Sequence, residues 1–270
     1  MTICIIGCGK MGEAILTGWI GARTGAAAAL APADFLVVGH SDQRCEQLRQ
    51  RHGVHVQTDM EGVDAADVIV LGVKPQVLPG VLEELAPHLA TSPHLVISIA
   101  AGVASATIEA ALPAGVRVVR AMPNTPLQVG QGATAVAAGA SATPSDQRLV
   151  CDLFESLGVA VEVHEDQINA VAALSGAAPA YYAALIEALV AAGERAGLPA
   201  PLGEALLVQS GFGTFDMMRK TGASPEQTRV AVCSPGGTTL AALSAMDRGG
   251  FASSIQDGVQ AAIDRAKELA

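Results

Sequence analysis

The sequence predicts an α/β fold class: a mostly parallel, doubly wound sheet in the N-terminal part, followed by an all-helical region. Three observations predict it. Short β-rich runs alternate with helical stretches over roughly the first 165 residues. Several of those runs are continuously apolar, as strands buried on both faces are. After about Glu165 the strand pattern stops and only helical periodicity remains.

The strand candidates in order are Ile3–Ile6, Phe35–Val38, Val68–Leu71, Leu95–Ile99, Val116–Arg120, Ala133–Val136 and Val159–Val163. Helical patterns lie between most of them, among them Gly12–Gly21, Asp42–His52 and Gln76–Leu85. Ala26–Ala29 reads as a small-residue loop or helix end. Strand–helix–strand alternation implies parallel strands with helices on both faces. In the second part, Asp166–Ser175, Ala180–Ala196, Leu202–Arg219, Pro225–Val232, Thr239–Asp247 and Ser253–Leu269 read as helices. Gly197-Leu198-Pro199 is a helix stop, and Ser224-Pro225 is an N-cap followed by a proline at the first helical position. The expected domains are therefore 1–164 and 165–270. The helical one is so rich in apolar positions that burial against another subunit is expected.

Composition narrows the function. Half of the 270 residues are apolar, 3% are aromatic, and the net charge is -10. Phosphate backbones need clustered Lys and Arg, so a nucleic-acid partner is not expected. No 18 consecutive residues are apolar, so no membrane span is expected. Ile3-Cys4-Ile5-Ile6 opens the chain with no basic leader, so no signal peptide is expected either. The five scattered cysteines read as reduced thiols and point to the cytoplasm. Of six histidines only His52 and His55 are close in sequence, with no paired cysteines nearby, so no metal site is expected.

The run "CIIGCGKMGEAIL" sets Gly7-x-Gly9-x-x-Gly12 directly after the first strand and at the start of a helix. One glycine makes the tight turn, one lets a pyrophosphate approach the backbone, and one lets helix and strand pack closely. The helix start supplies amide donors to the phosphates. Gly7, Cys8, Gly9, Lys10, Met11 and Gly12 are thus candidate dinucleotide contacts in a Rossmann-type domain. The second strand ends in "VVGHSDQR" rather than at an acid that would bind a ribose 2′-hydroxyl. His40, Ser41 and Arg44 could hold a 2′-phosphate, which favours NADP(H). Asp42 speaks for NAD(H), which stays open as the alternative.

Further loops fall where strands of an open sheet present their ligand edge. "VIVLGVKP" places Val73-Lys74-Pro75 there, "ISIAAGV" places Ala100-Ala101-Gly102, and "RAMPNTP" places Asn124 in a rigid turn. A second glycine turn, "SPGGTTLAAL", lies far downstream at Ser234–Leu243 and opens a helix. Its glycines and free helix-start amides suit a small anion such as a substrate carboxylate. Its threonines can reach a neighbouring ring nitrogen. Taken alone, it also reads as an ordinary capped helix start.

Together these blocks resemble the pyrroline-5-carboxylate reductases. The resemblance runs over essentially the whole chain: "IIGCGKMGEAI", "VIVLGVKP", "ISIAAGV", "RAMPNTP", "LSGAAPAYYAALIEAL", "AGERAGLP" and "SPGGTTLAAL" occur in that order. It implies hydride transfer from NAD(P)H to the C=N carbon of 1-pyrroline-5-carboxylate, giving L-proline. It implies a cofactor on Gly7–Gly12, on His40, Ser41 and Arg44, and along Val73-Lys74-Pro75 and Ala100-Ala101-Gly102. Asp59 takes the place of an asparagine that contacts the adenosine ribose in some members. The substrate carboxylate would sit on the amides of Gly236, Gly237 and Thr238, beside Ser234, with Ser175 and Asn124 also lining the substrate. Thr239 would contact the ring nitrogen and is the expected catalytic residue. The helical domain would form a homodimer, which in some members assembles into decamers.

The chain departs from the family pattern at Ala177 and Ala178, which replace a serine and a glycine, and at Val230, which replaces an acid. A reductase of a related cyclic imine is one alternative, and a dinucleotide-binding sensor without catalysis is another. A β-hydroxyacid dehydrogenase is a poor match, because Asp166–Ala196 contains no lysine.

Overall fold

The computed structural model describes residues 1–89 and 94–268. Its first part is one eight-stranded sheet: β1 (Ile3–Ile6), β2 (Phe35–Val38), β3 (His55–Gln57), β4 (Val68–Leu71), β5 (Leu95–Ser98), β6 (Arg117–Met122), β7 (Gly132–Ala138) and β8 (Gly158–Glu162). The strand order is β3-β2-β1-β4-β5-β6-β7-β8. Only β6 and β7 pair antiparallel. The chain winds outward from β1 to β3, then crosses back to β4, so the order reverses between β1 and β4. Such a reversal opens a crevice at the carboxyl ends of the two strands.

The all-apolar β1 explains its central place. Ile3 and Ile5 enter one core with Trp19, Phe35 and Phe154, while Cys4 and Ile6 enter the other with Leu78, Leu82 and Ile108. The helices that cover these faces are α1 (Lys10–Ile20), α2 (Asp42–His52), α3 (Leu78–Leu85), α4 (Ser105–Ala111) and α5 (Pro144–Glu155). Trp19 is fully buried, and its indole N–H donates to the Leu153 carbonyl at 2.9 Å. Its ring meets Phe154 edge-on at 5.5 Å.

One strand is not among the candidates, and one predicted helix comes out differently. β3 has only three residues, two of them polar, and so carries no hydrophobic signature. The helix expected over Asp166–Ser175 is instead a 3-10 turn (Glu165–Gln167), then α6 (Ile168–Val171), then a π turn (Ala172–Gly176). The wide turn closes through Ala177 N–H to the Ala172 carbonyl at 3.0 Å. Ile168 packs on Ala135 and Ala137 of β7, which ties this segment to the sheet.

The chain divides into two compact units, Met1–Ala177 with Ala262–Ala270, and Ala178–Ala261. Strands end near residue 165, but compactness divides the chain after Ala177, because Ile168 and Ala173 are buried. The helices that follow are α7 (Ala178–Arg195), α8 (Ala200–Thr221), α9 (Pro225–Ala231), α10 (Thr238–Arg248) and α11 (Phe251–Glu268). The last predicted helical residue, Leu269, lies outside the described residues.

The second unit has almost no interior of its own. Gly203 is its one buried residue. Leu202, Leu206, Phe212 and Phe215 stand exposed along α8, Phe212 at 64%. The helical run Glu165–Arg195 is long and apolar enough, by length and composition alone, to cross a bilayer. That corrects the expectation of no candidate span: Ser175 and Glu187 break the uninterrupted apolar run, but the surrounding Ala, Leu, Ile and Val keep the stretch apolar on average. Glu187 in mid-helix would be costly in lipid, whereas a partner protein surface can satisfy it. Exposed apolar faces of this extent mark an interaction surface. Phe212→Glu is expected to lower the oligomeric mass at micromolar concentration, read by sedimentation equilibrium. An unchanged mass would remove this face of α8 from the assembly.

Candidate active site

The loop after β1 is shaped by close approaches. Gly7 has φ +85, and a Cβ there would overlap the Val73 side chain and come within 2.8 Å of the Val73 nitrogen. At Gly12 a Cβ would stand 2.9 Å from the Gly7 carbonyl oxygen, and at Gly72 one would stand 2.6 Å from the same atom. Gly9 differs: a Cβ there would meet nothing within 4 Å. Gly9 is also the N-cap of α1 and makes no side-chain cap, so the first amides of α1 have no side-chain acceptor. An open backbone position before an uncapped helix start is a cradle that fits a pyrophosphate.

The other singled-out loops of the first unit follow the same carboxyl edge. Gly39 and His40 follow β2, and Ser41 caps α2 by accepting from the Arg44 amide at 3.4 Å. His40 and Asp42 are exposed. Asp59 follows β3 and accepts from the Glu61 amide and the Gln57 side chain, an Asx turn. Val73, Lys74 and Pro75 follow β4, with Lys74 exposed. After β5, Ala100 and Gly102 (φ +78) are buried and Ala101 is exposed. Cys8 is buried inside the loop, and burial pushes its thiol up to about 12, so it stays protonated at neutral pH.

Asn124 and Ser175 are brought together, on each other. The Asn124 amide donates to the Ser175 carbonyl at 3.2 Å and hydroxyl at 3.4 Å, and its carbonyl accepts from the Ala133 amide at 2.8 Å. Asn124 thus pins the π turn to the start of β7. Its hydrogen-bonding capacity is largely spent within the protein.

In the second unit, Ser234-Pro235-Gly236-Gly237 forms a turn closed by Gly237 N–H to the Ser234 carbonyl at 3.0 Å, with Gly236 at φ +71. Proline then positive-φ glycine is the pattern of a type II turn. This corrects one detail of the expectation. The Gly237 amide is consumed by the turn, so the donors left at this point are Gly236 and the helix-start amides of Thr238 and Thr239. Gly237 caps α10 without a side-chain bond, and both threonines are exposed.

Sequence reasoning passed over an ion cluster beside the glycine loop. Glu13, in the first turn of α1, pairs with Arg44 at 2.6 Å, Arg51 at 2.7 Å and His52 at 3.0 Å. The signal was readable in principle: Arg44, Arg51 and His52 recur at helical spacing on one face of α2. Arg44 also donates to the Cys8 carbonyl at 3.2 Å. Burial alone would raise the Glu13 pKa, but hydrogen bonds from Arg44, His52 and Arg51 outweigh it and hold the carboxyl down at about 2. A second pair, Arg120 with Glu165 at 2.8 Å, joins β6 to the segment after β8, and Glu165 also accepts from the Ser105 amide at the start of α4.

A doubly wound sheet with such a cradle and a row of small loops on one edge belongs to the class of nicotinamide-dinucleotide oxidoreductases. Comparison with known proteins narrows the class. Residues 165–269 match the family model described as pyrroline-5-carboxylate reductase dimerisation, and residues 2–102 match that of coenzyme F420-dependent NADP oxidoreductases. The pyrroline-5-carboxylate reductase of Corynebacterium melassecola is 39% identical over 99% of this chain and 98% of its own. The solved structure of the Coxiella burnetii enzyme superposes with a TM-score of 0.91 at 37% identity, covering 100% of this chain and 98% of that one. The Plasmodium falciparum pyrroline carboxylate reductase, solved with NADP bound, gives 0.86 at 27% identity, covering 100% and 98%. The chain belongs to the pyrroline-5-carboxylate reductase family. Its helical region is that family's dimerisation domain, which accounts for the exposed apolar faces of α7 and α8.

The depressed Glu13 pKa has a consequence for stability. The unfolded chain takes up the proton first, so the stabilisation from Glu13 is complete above pH 4.5 and is lost as pH falls towards 2. Glu13→Gln is expected to lower the urea midpoint at neutral pH and to flatten its decline between those two values. Parallel declines in the two proteins would take this cluster out of the acid response.

Proposed function

We propose that the chain reduces 1-pyrroline-5-carboxylate to L-proline with NADPH as the favoured hydride donor, the last step of proline biosynthesis. The observation that carries the reading is the Ser234–Thr239 turn, an uncapped helix start opened by two glycines, in a chain that matches its relatives from end to end. The bound nicotinamide supplies the hydride. The protein's part is to hold the ring. Gly236, Thr238 and Thr239 amides receive the substrate carboxylate without an arginine, and the Thr239 hydroxyl orients the ring nitrogen. A cyclic imine protonated at nitrogen already accepts hydride well, so positioning supplies most of the rate. Ser234 shapes the turn, and Asn124 and Ser175 are further substrate residues in this reading.

The cofactor residues are Gly7–Gly12, His40, Ser41, Arg44, Asp59, Val73-Lys74-Pro75 and Ala100-Ala101-Gly102. The absence of an acid at the end of β2 supports NADPH over NADH. The assembly we propose is a homodimer through the helical domain, with the decamer carried over from the family alone. The five cysteines are all free, which fits a reducing cytoplasmic location.

Two substitutions test this reading. Thr239→Ala is expected to lower kcat/KM by about 10- to 100-fold, the worth of one hydrogen bond to a charged group, with NADPH affinity unchanged. Loss of NADPH binding with normal turnover per bound cofactor would displace the turn from the substrate. Gly9→Val has open space for its side chain and an ordinary φ of -75. It should keep the melting temperature and lose dinucleotide binding. Retained binding, measured by calorimetry, would move the pyrophosphate off this loop.

A further inference from the structure

Glu13 follows Gly12 directly, and its two carboxylate oxygens are divided between partners. Oε2 accepts from Arg44 Nη2 at 2.6 Å, while Oε1 accepts from Arg51 Nη1 at 2.7 Å and lies 3.0 Å from His52 Nε2. Arg44 Nη2 makes its second bond to the Cys8 carbonyl, inside the glycine loop. Both bonds therefore leave from one nitrogen. Among the described residues, Nη1 and Nε of Arg44 meet no protein acceptor, and the side chain keeps 27% of its surface exposed.

Nε–H and Nη1 lie on opposite sides of Cδ, so an arginine held through Nη2 keeps them as separate, pre-oriented donors that each suit one oxygen of an anion. A free arginine must give up rotamer freedom on binding, and an anchored one has given it up already. Arg51 and His52 occupy Oε1, so Glu13 engages Arg44 through Oε2 alone and leaves Nη1 and Nε clear of the carboxylate. Two guanidiniums against one carboxylate leave the cluster net positive, so the anchor does not cancel the attraction for an anion.

We propose that Glu13 is a positioning residue for cofactor selection: it anchors Arg44 over the glycine loop through Nη2 and leaves the Nη1 and Nε donors pre-set for the 2′-phosphate of NADPH. The inference rests on the reading of Arg44 as the 2′-phosphate partner.

Calorimetric titration of the purified oligomer with NADPH and with NADH tests it in wild type, Glu13→Ala and Arg44→Ala. Glu13→Ala is expected to raise the NADPH Kd about tenfold, as an unanchored arginine would, and to leave the NADH Kd within about twofold. Glu13→Gln keeps an acceptor oxygen at the same reach without the charge, and should give a smaller loss of the same sign. It also covers the case in which the alanine variant does not fold. Adenosine 2′,5′-bisphosphate against adenosine 5′-monophosphate should repeat the pattern with no nicotinamide present. Equal weakening of both nucleotides would reduce Glu13 to a brace of the loop and overturn the proposal, as would a gain in NADPH preference. Lost selectivity in Arg44→Ala with none lost in either Glu13 variant would overturn the anchoring role and leave the Arg44 reading standing. Unchanged selectivity in Arg44→Ala would remove both.

Discussion

The Gly7 carbonyl is the point on which the cofactor domain closes. Gly12 of α1 and Gly72 at the end of β4 both approach it so closely that neither could carry a Cβ without displacing backbone. Gly7 itself needs a positive φ and abuts Val73. These contacts bring the start of α1 against the ends of β1 and β4, where the strand order reverses. The crevice, the uncapped amides and the loop after β4 all take their places from that one close packing. The loop is therefore rigid before any ligand arrives, and only Gly9 is left with open space in front of it.

Electrostatics then refine what packing has placed. Glu13 lies one residue beyond the last glycine and fastens α2 to α1 through Arg44, Arg51 and His52. The same bonds bring Arg44 to the Cys8 carbonyl, so helix docking and loop geometry are settled together. After β6, Asn124 plays a comparable part with neutral groups. It holds Ser175 in the π turn and the start of β7 at once, which explains why an amide sits there in a rigid proline-flanked turn.

The helical part obeys a different constraint. A helix hydrophobic on several faces must bury them, and a unit with Gly203 as its one buried residue does not do so alone. The small residues of α7 and α8 allow backbones to approach, and Tyr182 and Phe215 stack at 5.1 Å, yet most large apolar side chains remain outside. The match of this region to the family's dimerisation domain gives those apolar faces a place to be covered.

Much of this was legible in the residues. The continuously apolar β1, β2 and β4, the glycine spacing, the Ser224-Pro225 cap and the Ser-Pro-Gly-Gly turn each carry a local physical signature that neighbours along the chain suffice to specify. The Thr143–Asp146 capping box that opens α5 is equally local. What the sequence could not determine depends on residues distant in the chain. β3 is a strand only because β2 offers it an edge, since its three residues hold no pattern. The π turn at Ala172–Gly176 has its Ser175 carbonyl taken by Asn124, a residue 51 positions earlier in the chain. Arg44 reads on its own as a solvated helix face, and it becomes an anchored donor only when folding sets Glu13 beside it. Local signals determine which elements form and where they end. Which side chains meet, and with what charge, was decided by packing alone, because no single segment contains both partners.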